Sequence, residues 1–195
     1  ALARPGEQVE VVVGRATSTE VRAYDGQVEQ FASATSAGVG VRVIAGNRQG
    51  FAYAGTLDAD VMAETLAEAR DNATFATDDE WLGLAEPDGL AVPALDLYRE
   101  SLTRVSTDAK IDLALELERA VRAADPRITG VESADYADGV SEGAVVSTTG
   151  IRTYGRETSC YVAAHCVATD GDDTQTGFGF SVGRTLDDLD VSVAA

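Results

Sequence analysis

The chain has 195 residues, 45% hydrophobic and 25% charged, the proportions of a soluble globular protein rather than a disordered one. Its 33 acidic residues outnumber 15 basic ones for a formal net charge of −18, and Lys110 is the only lysine. So acidic a chain opposes approach to phosphate backbones and anionic membranes, and no run of about 18 apolar residues marks a membrane-spanning helix.

The N-terminal ALARPGEQVE lacks an apolar stretch of signal-peptide length. EQVEVVVGRA is β-branched and predicts a buried strand. STEVRAYDGQVEQFASAT carries Asp25-Gly26, the strongest short hairpin signal, which would pair Ala23 with Val28 and Arg22 with Glu29. GVGVRVIAGNRQGFAYAG predicts a second hairpin turning at Gly46-Asn47. Val39, Val41 and Val43 then share a face that needs a cover. LDADVMAETLAEARDNA supplies it as a helix, with Val61, Met62, Thr65, Leu66 and Ala69 on one stripe and Asp58 as N-cap.

Residues 76–105 hold Pro87, Pro93, glycines and acids and read as a linker, in which Trp81 and Leu84 are expected to anchor onto a neighbour. A helix follows from Ser106, with Leu113, Leu117, Ala120, Val121 and Ala124 on one face, and Pro126 ends it. RITGVESADYADG, SEGAVVSTTGI, RETSCYVAAHCVATDG and TQTGFGFSVGR are four strand candidates. TDGDDTQTG reads as a long acidic loop, and TLDDLDVSVAA as the start of another helix.

Gly50-Phe51, four residues, then Thr56-Leu57-Asp58 recurs as Gly179-Phe180 and Thr185-Leu186-Asp187, at a constant offset of 129. With ALARP as the tail of a first helix, the order of elements repeats. The expected fold class is α+β: two repeated helix–four-strand–helix units with antiparallel or mixed sheets. Residues 1–75 and 106–195 are the expected domains, joined by the linker 76–105, and the second is expected to continue past Ala195. The motif's Asp reads as a helix cap rather than a catalytic acid.

Cys160 and Cys166 lie roughly 20 Å apart if one strand holds both, too far for a disulfide. Two unpaired thiols suit a reducing compartment and predict a cytoplasmic protein. His165, the only histidine, points to the opposite side of that strand from both cysteines, so the three diverge rather than form a metal site. No GxSxG elbow accompanies His165 for nucleophilic catalysis. TDGDDTQTG lacks the spaced oxygens and terminal Glu of an EF-hand. Gly38 and Gly40 lack a third glycine opening a helix, which leaves no dinucleotide fingerprint. The residues therefore predict no catalytic, cofactor-binding or metal-binding position in this chain.

STEVRAYDGQVEQFASATSAGVGVRVIAGNRQGFAYAGTLDADVMAETLAEARDNATFATDDE resembles the N-terminal domain of the TldD/PmbA family, and ADPRITGVESADY and GFGFSVGRTLDDLD are similar to its central domain. The resemblance runs from about residue 9 to the end. DPRI, and SVGR before DDLD, favour the PmbA (TldE) side. It implies a cytosolic peptidase of two related subunits that cleaves unfolded or leader peptides. TldD carries a zinc-binding His-Glu-x-x-x-His motif; PmbA/TldE lacks it and pairs with TldD. Known members carry a further, mostly-β C-terminal domain.

The reading is a non-catalytic subunit, with zinc in a TldD-like partner and an assembly with that partner or with itself. The alternatives are a catalytic TldD-like metallopeptidase whose motif lies beyond residue 195, and a non-catalytic module that takes an extended peptide at a sheet edge. An older family label, modulator of DNA gyrase, suggests nucleic acid, but the charge and the lack of a basic stripe argue against direct contact.

Overall fold

A computed structural model describes residues 3–195. The elements run β1 (Gln8–Tyr24), β2 (Gln27–Ala45), β3 (Arg48–Ala54), α1 (Ala59–Phe75), α2 (Glu100–Thr103), α3 (Thr107–Ala124), β4 (Ile128–Ser147), β5 (Arg152–Asp170), β6 (Asp173–Gly183), a 3-10 turn (Leu186–Asp188) and α4 (Val191–Ala194). The fold is α+β, on a six-stranded sheet ordered β3-β2-β1-β4-β5-β6.

Each half has three strands where four were expected. No residue between Gln8 and Tyr24 has positive φ. The β-branched Thr17 and Thr19 therefore carry β1 through the expected break, and β4 likewise runs unbroken through Gly139. The turns fall where the sequence placed them. Asp25 and Gly26 have φ of 52° and 73°, Gly46 and Asn47 of 54° and 60°, the left-handed pairs that two-residue hairpin turns require. The Arg22–Glu29 ion pair expected across the first turn does not form as a contact: Arg22 bonds Asp135 Oδ1 at 2.7 Å, and Glu29 acts on it only through space. The expected acidic loop is mostly ladder, since Asp170 pairs with Asp173 around a two-residue turn.

The chain forms two compact units. The first comprises the residues up to Ala16, Ser36–Leu95 and Ser141–Arg156; the second comprises Thr17–Thr35, Asp96–Val140 and Glu157–Ala195. In the first, Val39, Val41 and Val43 are buried with Val9 and Ala52 beneath Leu66 and Ala69 of α1. Each buried valine contributes about 1.5–3 kcal/mol relative to exposure. Asp58 caps α1 as expected, its Oδ1 accepting from the N–H groups of Asp60 and Val61 at 2.9 and 3.3 Å. Asp58→Ala is expected to cost about 1 kcal/mol, read as a lower urea midpoint with unchanged slope.

Within this unit the segment after α1 runs without regular structure. Leu84 is buried and its N–H donates to Gln8 Oε1, but Trp81 is 87% exposed and does not anchor anything. Its backbone is held in a turn through Asp79 Oδ1, which leaves the indole pointing outward. Part of ALARP, Ala1-Leu2, lies outside the described residues; Ala3 and Arg4 are not helical and Pro5-Gly6 form a turn.

In the second unit α3 is capped by Ser106 and buries Ala114, Leu117 and Val121 against Val21, Val131 and Tyr136. The expected last helix is split. Thr185 and Asp188 close a 3-10 turn by reciprocal bonds, and α4 begins after Asp190, which caps it through Ser192 N–H.

Gly50 and Gly179, the repeated glycines, share a physical role. A Cβ at Gly50 would lie 1.9 Å from the Ala69 carbonyl oxygen of α1; at Gly179 it would lie 2.4 Å from that of Ala194 in α4. Each glycine lets a helix lie directly on a strand. The phenylalanine after it turns to the helix-free face: Phe51 and Phe180 are 53% and 54% exposed.

Candidate interaction surface

The chemistry-bearing residues singled out in the sequence lie on the β5–β6 hairpin of the second unit. The antiparallel register sets Cys160 opposite Gly183, Val162 opposite Ser181, Ala164 opposite Gly179 and Cys166 opposite Gly177. On the alternate positions, Tyr161 faces Val182, Ala163 faces Phe180 and His165 faces Phe178. A strand's period of two thus places both thiols on the helix-covered side and the imidazole on the open side. Both cysteines are free, and Cys160 is buried.

The open side is an aromatic strip. The His165 ring lies 4.5 Å from that of Phe178, and Phe178 lies 5.6 Å from Phe180. Phe178, Phe180, Val182 and Tyr161 are all exposed. The His165 side chain makes no hydrogen bond or ion pair with the described residues; its neighbour is a phenyl ring, not a carboxylate or a nucleophile. β6 closes one end of the strand order, so the strip sits on an edge strand. Exposed apolar side chains clustered on an edge strand are the kind of surface that contact sites use. Among the described residues, no three His, Cys, Asp or Glu side chains are grouped to hold a metal ion.

The covered side contains a polar cluster that the sequence reading missed. Lys110 Nζ lies 2.5 Å from Asp138 Oδ2, with both side chains nearly buried, and also donates to Thr19 Oγ1. The fully buried Tyr136 hydroxyl donates to the same Asp138 oxygen at 2.7 Å, and burial pushes the phenol far up. Glu118 is buried on α3. Burial works against its charge, but the Arg122 guanidinium and the N–H groups of Gly26 and Asp25 outweigh it and hold the carboxyl below its usual range. Glu118 thereby fastens the Asp25-Gly26 turn to α3 through a 2.9 Å bond to Gly26 N–H. The one available signal was the lone lysine in a chain that otherwise uses arginine.

Cys160 Sγ donates to the Thr185 carbonyl, and burial, with Asp138 and Asp188 nearby, raises its thiol to about 11. It is therefore no nucleophile at neutral pH. Under native conditions Cys160 is expected to resist Ellman's reagent and to react only on unfolding. Comparing labelling with and without denaturant, site by site in a mass spectrum, checks this.

Family profiles match the two parts of the chain. Residues 9–73 match PmbA/TldA metallopeptidase domain 1, and residues 100–195 match the PmbA/TldA metallopeptidase central domain. The chain belongs to the PmbA/TldD family. It is 28% identical over 189 residues to Metalloprotease PmbA of Escherichia coli O157:H7, a match covering 92% of this chain and 40% of that protein. It is 26% identical over 152 residues to the Metalloprotease PmbA homolog of Haemophilus influenzae, covering 78% and 32%. The chain thus spans well under half the length of these curated relatives.

Its fold is similar to that of TldE from Thermococcus kodakarensis, with a TM-score of 0.84 at 20% identity, over 96% of this chain and 42% of that one. A Thermotoga maritima protein described as a putative modulator of a DNA gyrase gives a TM-score of 0.83 at 20% identity, over 97% and 42%. No helix among the described residues is long and apolar enough to cross a membrane.

Proposed function

We propose that this chain is part of a non-catalytic, PmbA/TldE-like subunit of a cytoplasmic TldD/TldE-type metallopeptidase that cleaves unfolded or leader peptides. The similarity to E. coli PmbA along 92% of the chain carries the family part of the reading. Three side chains with catalytic potential support it, because they are engaged elsewhere: His165 with Phe178, Cys160 with the Thr185 carbonyl and Lys110 with Asp138. In this reading residues 1–75 and 106–195 are two domains, joined by the linker 76–105. The aromatic strip is a docking face for a TldD-like subunit or a second copy. Zinc and the His-Glu-x-x-x-His motif belong to the TldD-like partner, and neither nucleic acid nor membrane is a ligand.

Reconstitution tests it. The full-length protein is assayed alone and with a TldD-like protein from the same genome on an unstructured peptide. Cleavage is expected only for the mixture and is expected to stop with a chelator. Cleavage by the lone protein would show that the subunit assignment is wrong.

A further inference from the structure

One stretch of the chain is held by almost nothing. In the first unit the last hold is at Ala85, whose carbonyl accepts from the Thr149 hydroxyl at 2.7 Å, and Pro87 lies beside Gly150. In the second unit Leu97 is tied again: its carbonyl accepts from Thr158 N–H and from the Arg184 guanidinium, both at 3.0 Å. Residues 88–95 between these ties are all exposed, and none belongs to a helix or strand. The one hydrogen bond within them, among the described residues, is local: Leu90 N–H donates to Asp88 Oδ1 at 2.9 Å. Leu90, Val92 and Leu95 are 77%, 76% and 69% exposed. Trp81 is exposed too, but its surroundings are tied, with Asp79 N–H on the Asn47 carbonyl and Leu82 N–H on the Asp79 carbonyl. Exposed backbone without hydrogen bonds is what an endoprotease draws into its cleft.

A cut in this stretch would release neither piece. It parts the residues up to Gly89 from those that follow, yet each compact unit draws on both pieces. In the first unit, Val9 of the leading piece and Thr148 of the trailing piece exchange two bonds. Val9 N–H donates to Thr148 Oγ1 and Thr148 N–H to the Val9 carbonyl, both at 2.9 Å. In the second unit, Val21 and Ala23 of the leading piece are buried in one core with Leu117, Val121 and Tyr136 of the trailing piece. Gly26 N–H donates to Glu118 at 2.9 Å, and Arg22 pairs with Asp135 at 2.7 Å. Burial that stabilises one chain also holds two pieces together, because it depends on contact and not on a covalent link.

We infer that residues 88–95 are a processing site for an endoprotease that takes an extended apolar segment, and that the cut protein remains one assembly. Water adds across the Gly89–Leu90 or the Ala94–Leu95 peptide bond. A carboxylate is left on the leading piece and an amine on the trailing one.

Limited digestion of the full-length natural polypeptide with thermolysin, which cuts before large apolar residues, tests both parts. Cuts before Leu90 or Leu95, identified by mass spectrometry, are expected at least about tenfold faster than any other cut among residues 3–195. An equal or faster cut elsewhere among those residues overturns the inference. So does a segment still intact after a denatured sample is fully cut. Leu90→Asp combined with Leu95→Asp is expected to slow the cut at least about tenfold and to leave the urea midpoint unchanged, because both side chains are exposed. Undiminished cutting of this variant overturns the role given to the apolar side chains. The nicked protein is then passed through a size-exclusion column. Its two pieces are expected to elute together at the position of the uncut protein and to part only in denaturant. Separation under native conditions overturns the inference.

Discussion

Replacing Gly50 with alanine is expected to destabilise the first unit by about 3–5 kcal/mol, the upper range for a single overpacking change. The added methyl would lie 1.9 Å from the Ala69 carbonyl oxygen and 2.4 Å from the Ala73 nitrogen, both backbone atoms of a helix that no rotamer change can move. The alternatives are to lift α1 from Val41 and Val43 or to bend β3, and either exposes the core. Gly179→Ala is expected to cost less, about 1–3 kcal/mol. There the obstacle is Ala194 on the four-residue α4, which has less burial to lose by shifting. Gly55→Ala, with nothing within 4 Å of the new methyl, serves as the control. Urea unfolding monitored by circular dichroism gives all three values. A Gly50→Ala midpoint equal to that of Gly55→Ala would refute the close-approach account.

Lys110→Met is expected to destabilise the second unit by about 3–5 kcal/mol, the range for removing one partner of a buried ion pair. Asp138 would keep its charge in a site where its side chain is only 8% exposed, with the Tyr136 hydroxyl as its remaining partner. Lys110→Met combined with Asp138→Asn is expected to recover much of the loss, because the stranded charge is gone and Tyr136 still has an acceptor. If the double variant is as unstable as the sum of the two single ones, the cost comes from packing and not from the unpaired carboxylate. A double-mutant cycle by thermal or urea unfolding distinguishes these outcomes.

Local features of the fold were legible in the sequence because local chemistry decides them. Asp25-Gly26 and Gly46-Asn47 turn the chain because those residues accept left-handed backbone at little cost, and Asp58 and Ser106 start helices because their oxygens accept otherwise unpaired N–H groups. The alternation around Cys160, His165 and Cys166 separated thiols from imidazole before any fold was known, since a strand has a period of two. The Gly-Phe pair, seen as a repeat, identified the joins between strand and helix. It did not say why glycine was needed; that depends on the distance between a helix and a strand.

Tertiary structure alone decided the rest. Breaks expected near Thr17 and Gly139 do not occur, because pairing with neighbouring strands keeps β1 and β4 extended where composition alone suggested interruption. Trp81 is exposed and Leu84, three residues on in the same irregular segment, is buried, a difference that composition alone does not contain. The partners of Arg22 and Lys110 lie 113 and 28 residues away in sequence, and no local pattern brings such groups together. Periodicity, caps and turn residues fix what each segment becomes, because their energies come from atoms a few bonds apart. Which strand neighbours which, and which charge meets which, depends on long-range burial that sums contributions from the whole chain.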